Sequence, residues 1–250
     1  MALLAIEDVW VSFGGLRALA GVSLTVQAGE LVGLIGPNGA GKTTLCQVIS
    51  GFQRPGRGRV ALDDADVTGL PPYEMSRRGV ARTFQIVRPF LAWTVLDNVA
   101  AAVLFSGART RLAACRGEAL EVLVRVGLDG KARHSPAALT LGEKKKLEVA
   151  RALALRPRLL LLDEAMAGLA AEERADLIRL VGEIHRAGTA IVMVEHVVRV
   201  VMALAERVVV LDRGEKIAEG APAAVAEDPR VITAYLGSRR PPRAPGERAP

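Results

Sequence analysis

Cysteine is nearly absent from this 250-residue chain, which has only Cys46 and Cys115. Two thiols so far apart supply neither a disulfide framework nor a metal-ligand spacing, and their scarcity suits a reducing compartment. Also missing is any uncharged apolar run of the roughly 18 residues that a membrane helix needs. The most apolar stretch, residues 190–211, is interrupted by Glu195, His196, Arg199, Glu206 and Arg207. The start, MALLAIEDVW, carries acids and no basic leader, so no export signal is expected. These absences exclude a membrane-spanning or cystine-stapled secreted protein and predict a cytosolic one.

What is present is a chain that is 50% apolar and long enough for a substantial core, in one large domain or two small ones. Its net charge of +6 is unevenly placed: residues 88–157 hold 12 basic and 6 acidic side chains, whereas residues 158–237 hold 9 and 13. A basic segment of that kind meets nucleotide phosphates, nucleic acid or lipid headgroups, or is simply a solvated helical face. Residues 238–250, SRRPPRAPGERAP, are basic, proline-rich and free of apolar periodicity, and are expected to be disordered.

Chemistry concentrates where strands end. The stretch GELVGLIGPNGAGKTTL places an apolar strand, Leu31 to Ile35, before a loop with the spacing Gly, four residues, Gly, Lys, Thr. Gly36, Gly39 and Gly41 let the backbone curl so that N–H groups converge on phosphate oxygens, with Pro37, Asn38 and Ala40 completing the loop. Lys42 supplies a mobile charge for the terminal phosphates, and the Thr43 hydroxyl suits magnesium; Thr44 opens a helix that Gly51 stops. Four leucines, Leu159 to Leu162, read as a parallel strand buried on both faces, and it ends in Asp163 and Glu164. Asp163 suits a magnesium-bound water and Glu164 the attacking water of a hydrolysis, although either acid could instead cap the next helix. A third strand, Ala190 to Val194, delivers Glu195 and His196. A short one, Val80 to Phe84, delivers Gln85, whose amide is a candidate neutral ligand for magnesium. His134, in a loop, and His185, on a charged helix, read as structural. In a doubly wound α/β sheet ligands sit outside the carboxyl ends of the strands, so these termini describe one site.

The segment LTLGEKKKLEVARAL, residues 139–153, raises a different question. Thr140 followed by Glu143 is a capping box, so a helix is expected from Leu141 through Leu147, Ala150 and Leu153. Lys144, Lys145 and Lys146 then crowd its positive end, where each added cation costs about 0.3–1 kcal/mol unless an anion lies opposite. The segment reads as half of an anion site.

In their order along the chain, the phosphate loop, Gln85, LTLGE, LLLLDE and His196 resemble the motifs of the ATP-binding cassette (ABC) ATPases, over roughly residues 3–237. The resemblance implies an α/β fold. A P-loop NTPase, RecA-like core would be built from residues 1–87 and 158–237, with a mixed sheet and an N-terminal antiparallel β portion over about Leu4–Val26. A helical subdomain would be inserted over 88–157, where Thr94 is suited to cap a helix through Leu104 and residues 118–126 have helical spacing. The resemblance also implies ATP and Mg2+, with catalysis by Glu164, His196 and Lys42. Phe13 would lie under the adenine, with Trp10 the weaker candidate and core-filling the alternative for both. The family's LSGGQ signature helix faces the γ-phosphate held by a second subunit. Thr140, Gly142 and Glu143 are therefore expected to contact a partner's nucleotide, with the lysines reinforcing the field there. Two cassettes, either two copies of this chain or this chain and a paralogue, would close head to tail. Several positions depart from the family pattern: Thr140, Leu141 and Glu143 replace serine, glycine and glutamine, Ala170 stands where an acid is usual, and Val197 follows His196 where aspartate is frequent.

A narrower resemblance is to the ATPases of branched-chain or hydrophobic amino acid importers. It rests on GVARTFQIVRPFLAWTVLDNV, on VEHVVRVVM and on GEKIAEGAPAAVAEDPRVITAYLG. Relatives with similar phrases are linked to other small solutes such as urea. This resemblance implies two membrane permease subunits, an extracytoplasmic solute-binding protein acting indirectly, and a place on the inner face of the membrane. The surface around Ile86 to Trp93 would receive a permease helix, with Phe90 and Trp93 as anchors, unless both rings pack inside the subdomain. The rival is a soluble cassette acting on ribosomes or DNA. It is opposed by the low charge outside the tail and by the lack of heptads between Gln85 and LTLGE, so no nucleic-acid partner is expected. A phosphate-loop kinase gives no reason for the LTLGE segment.

Overall fold

A computed structural model describes residues 2–85, 87–106 and 111–236. The chain opens with a long antiparallel hairpin, β1 (Ala2–Phe13) and β2 (Leu16–Gln27). β3 (Leu31–Ile35) is buried throughout and leads through the phosphate loop into α1 (Lys42–Ile49). β4 (Arg57–Leu62) and β5 (Ala65–Asp66) return to the hairpin and complete a four-stranded antiparallel sheet in the order β2-β1-β4-β5. α2 (Pro72–Arg77) and β6 (Val80–Arg82) follow.

The next stretch is helical: α3 (Val95–Phe105), α4 (Leu112–Val126), two short 3-10 turns, and α5 (Leu141–Leu153). Thr94 caps α3 by accepting from the Asp97 N–H. Both halves of the Thr140–Glu143 capping box form at the start of α5, as its spacing predicts. Alternation then resumes with β7 (Leu159–Asp163), α6 (Ala171–Arg186), β8 (Ala190–Val194), α7 (Val198–Leu204), β9 (Arg207–Asp212) and β10 (Glu215–Gly220). Two short helices, α8 (Pro222–Glu227) and α9 (Pro229–Leu236), end the described chain.

The second sheet has the order β10-β9-β3-β8-β7-β6. All its neighbours are parallel except β10 on β9, so the sheet is mixed. Its two faces build two cores. Leu159 and Leu161 join Val32, Leu34, α1 and the antiparallel sheet, whereas Leu160 and Leu162 join Ile191, Met193 and helices α5 to α7. The leucine run is therefore explained by burial on both faces.

Several boundaries differ from expectation, among them the start of α1, which is Lys42 and not Thr44. β6 stops at Arg82 and not at Phe84, because Thr83 N still donates to Leu161 O at 2.9 Å while Phe84 N turns away to Glu148 Oε2 at 3.0 Å. α4 begins at Leu112, ahead of residue 118. The expectations for Ile86 and for residues 238–250 fall outside the described residues.

α7 packs directly on β3 at Gly33, where an added Cβ would lie 2.1 Å from Val201 Cγ1 and 3.2 Å from Ala205 Cβ. Gly33→Ala is therefore expected to overpack this contact and destabilise the protein by about 1–3 kcal/mol. Urea denaturation checks it; an unchanged midpoint would show that α7 yields freely.

Candidate active site

The carboxyl ends of β3, β6, β7 and β8 lie side by side, held by registers such as Leu34 with Val194 and Asp163 with Val194. Gly36 leaves β3 with a φ of 151°, and a Cβ there would sit 2.1 Å from the Leu211 carbonyl oxygen. Only glycine fits so close to β9. Lys42 folds back over the loop, its Nζ donating to Gly36 O at 2.7 Å and Pro37 O at 2.9 Å. Burial lowers the Lys42 pKa, against the opposing pull of Glu164 and Asp163. Those two carboxylates thus share a field with the phosphate-loop lysine.

Glu164 is held from every side. Its N–H donates to Val194 O at 2.9 Å, and its carbonyl accepts from Lys145 Nζ at 3.2 Å. Gln85 Nε2 donates to its Oε2 at 2.6 Å, and His196 Nε2 contacts its Oε1. The backbone is in the left-handed region with a φ of 51°, which costs a non-glycine residue about 1–3 kcal/mol. Asp163 is paired on one oxygen only: Oδ2 accepts from Arg82 Nη2 at 2.7 Å. Its buried Oδ1 has no hydrogen-bond partner among the described residues.

Lys42, Gln85, Asp163, Glu164 and His196 are thus brought together by the fold. Thr140, Gly142 and Glu143 are not part of that cluster, since their side-chain and amide contacts run to one another, to Lys131 and to α6. Thr140 Oγ1 and the Gly142 N–H both donate to Glu173 Oε1 at 3.1 Å. Glu143 Oε2 accepts from Thr140 N at 2.9 Å. An anion does sit at the start of α5, and it is a carboxylate of the same chain. The lysines do not line up behind it: Lys146 pairs with Asp176 at 3.4 Å, and Lys145 turns inward toward Glu164. The expectation that all three reinforce one outward field is corrected accordingly, because Lys145 lies on the buried stripe of α5.

Phe13 is 47% exposed at the end of the β1–β2 hairpin, so it does not fill the core. Trp10 is engaged instead, its Nε1 donating to Asp8 Oδ1 at 2.7 Å and its ring under Arg57. β2 is tied to the phosphate loop through Gly214, which accepts from Ala20 N at 2.8 Å and donates to Ala40 O at 3.1 Å. His185 Nε2 meets Gly29 O at 2.8 Å and Glu206 Oε1 at 2.9 Å, a structural role.

The family model "ABC transporter" matches residues 19–167, more than half of the chain. The chain belongs to the ABC transporter ATPases. A second model, "Branched-chain amino acid ATP-binding cassette transporter", matches residues 215–240. The "High-affinity branched-chain amino acid transport ATP-binding protein LivG" of Salmonella typhimurium is 39% identical over 249 residues, covering 94% of this chain and 98% of the relative. Among solved structures, the ADP conformation of MJ1267, "an ATP-binding cassette of an ABC transporter", superposes with a TM-score of 0.85 at 31% identity, over 95% of this chain and 99% of that one. The "dimeric structure of a post-hydrolysis state of the ATP-binding cassette MJ0796 bound to ADP and Pi" gives 0.79 at 27% identity, over 88% and 98%. As an ABC ATPase, the cassette binds nucleotide and hydrolyses ATP.

Sequence reasoning gave no role to Arg82, Glu173 or Glu195 and read Lys145 only as part of one outward positive block. Yet Lys145 falls three residues after Gly142 and four before Val149 on the buried side of α5, a helical spacing that flags it. Glu195, directly before His196, is buried and accepts from Met166 N at 2.9 Å.

Burial raises the Glu195 pKa from 4.5 to about 7. The folded cassette therefore binds this proton more tightly than the unfolded chain does. The resulting stability is fully present below about pH 4.5 and is lost as pH rises through about 7. Glu195→Gln keeps an acceptor for Met166 N and should flatten the stability profile across that window. Urea midpoints over a pH series measure this, and a variant curve parallel to the native one would disprove it.

Proposed function

We propose that this chain is the ATP-hydrolysing subunit of an importer for branched-chain or related hydrophobic amino acids, seated on separate membrane permeases at the inner face of the membrane. The observation that carries the catalytic part is the convergence of Lys42, Gln85, Asp163, Glu164 and His196 on one sheet edge. The solute rests on the end-to-end likeness to LivG and on the matched segment 215–240. No helix among the described residues is long and apolar enough to cross a membrane, consistent with permeases supplied by other chains. Residues 1–87 and 158–237 would form the nucleotide-binding core and residues 88–157 the helical subdomain.

In this reading the loop from Gly36 to Thr44 wraps the phosphates with the N–H groups of Asn38, Gly39 and Gly41, while the Ala40 N–H closes the loop on Pro37 O at 3.2 Å, and Phe13 stacks on adenine. Magnesium fits the residues present: the unpartnered Asp163 Oδ1 is an anionic acceptor in need of a donor or cation, and Thr43 and the Gln85 amide oxygen are the neutral ligands. When bound, the ion neutralises charge building on the phosphate oxygens. Glu164 takes a proton from the attacking water. As the water oxygen bonds to the γ-phosphorus, the bond to the bridging oxygen breaks and its electrons leave with ADP. His196 and Gln85 hold the Glu164 carboxylate in the orientation for that proton transfer. A second cassette would place its own nucleotide against Thr140 and Gly142, displacing Glu173, with Glu143 keeping the cap in shape.

Phe90 and Trp93 are 49% and 41% exposed, which leaves part of each ring open to a partner. Asn98 holds the Phe90 backbone at both its N–H, at 2.8 Å, and its carbonyl, at 3.0 Å. Phe90 joins Phe52, Tyr73, Phe84 and Phe105 around a groove of about 410 Å3. Such an exposed aromatic groove suits a short apolar helix of a permease.

MgATP at about 100 times its Kd should stabilise the protein by about 2.7 kcal/mol, and Lys42→Ala should abolish the rise in Tm. Glu164→Gln should bind ATP and accumulate a dimer on gel filtration; normal turnover in that variant would remove Glu164 from the chemistry. Phe90→Ala should release the permeases in a membrane pull-down while leaving the MgATP shift intact. Recovery of ribosomes or DNA in place of permeases would overturn the transport reading.

A further inference from the structure

One buried cation is not used by the mechanism above. Lys145 is 4% exposed, in the second turn of α5, and its Nζ donates to Gln85 O at 3.0 Å and to Glu164 O at 3.2 Å. Both acceptors are main-chain oxygens. They belong to the two residues whose side chains meet each other at 2.6 Å in the site. Lys145 thereby ties three separate segments together: the turn after β6, the tip of β7 and the start of α5. Glu195, Glu148, Glu164 and Asp163 surround it with negative charge. A flexible, strongly hydrated ammonium is costly to bury, and charge balance alone does not require it to reach two carbonyls.

We propose that Lys145 is a positioning residue for ATP hydrolysis: its ammonium clamps the main-chain oxygens of Gln85 and Glu164 to α5 and so sets the Glu164 carboxylate in place. The proposal rests on the reading of Glu164 as the group that activates water. It gives the strained Glu164 backbone a partner that compensates for it. It also gives α5 two functions from one helix start, since Thr140 and Gly142 contact an anion on one side while Lys145 grips the chain's own site on the other. With Ala170 in place of the usual acid, this clamp is a route within the chain by which the seating of α5 reaches Glu164.

The test uses the transporter complex purified through a tag on the full chain, with turnover measured against MgATP concentration. Lys145→Met should lower kcat by about ten- to a hundredfold, the scale of a small misplacement, with KM and the MgATP-induced rise in Tm unchanged. Lys145→Arg, which keeps the charge and the donors, should restore most of kcat. A normal kcat in Lys145→Met overturns the proposal, as does an arginine variant no faster than the methionine one. If Lys145→Met fails to fold, the Lys145→Met/Glu195→Gln double variant removes the opposing carboxylate and is held to the same outcomes. Normal turnover in Glu164→Gln would overturn the parent reading and this one with it, whereas loss of turnover in Glu164→Gln with normal turnover in Lys145→Met overturns this one alone.

Discussion

The structure depends on balancing charge that is buried at the carboxyl edge of the parallel sheet. Lys42, Lys145, Asp163, Glu164, Glu148 and Glu195 are all nearly inaccessible to water, and the guanidinium of Arg82 lies among them. Each isolated ion would cost several kcal/mol there, so none is tolerable without the others. Arg82 meets Asp163, Lys42 meets the loop carbonyls, and Lys145 meets two main-chain oxygens. The strain held at Glu164 persists for the same reason: Val194, Lys145, Gln85 and His196 over-determine its position.

That balance is achieved by topology more than by local sequence. Parallel neighbours need crossover connections, so strands that adjoin in space are distant in the chain. The sheet order β9-β3-β8-β7-β6 sets the phosphate loop after β3 next to the tips of β8 and β7. The helices that make the crossovers bury the second face of each strand, which is why Leu159 to Leu162 can be apolar without alternation. Chemistry is carried at or shortly after the carboxyl ends of the strands, where the chain leaves the packed layers.

Much of this was legible in the residues themselves. β3, β7 and β8 follow from apolar runs bounded by turn signals, and α5 follows from a capping box whose two halves are three residues apart. The phosphate loop, Asp163, Glu164 and His196 are legible because each sits at a strand end. Pairings across long separations are not. Arg82 with Asp163 and Thr140 with Glu173 join segments whose proximity is a property of the closed sheet and of helix packing. The three lysines show the limit most clearly. Composition presents them as one positive block, yet helical geometry sends Lys145 inward and Lys146 toward Asp176. The short reach of β6 was illegible for a related reason: Phe84 N leaves the ladder for Glu148, a side chain on another element.

The start of α5 shows how a half-site can be stable before it is completed. A helix N-terminus with cations nearby calls for an anion, and Glu173 supplies one from the first turn of α6 while also reaching back to Ala170 N at 3.3 Å. One carboxylate oxygen there carries less charge than a terminal phosphate, and it is bound by only two donors. In the proposed dimer a partner's triphosphate would therefore be the stronger ligand for Thr140 and Gly142, and the released Glu173 could still cap its own helix. Exchange of one anion for another leaves neither an unpaired donor nor a buried unpaired charge, so closure need not break the fold to make the contact. The residue that cannot be exchanged in this way is Lys145, because its acceptors are backbone oxygens of the same chain. Whatever moves α5 must move those oxygens with it, and this is why the helix start, more than any loop, joins the two faces of the cassette.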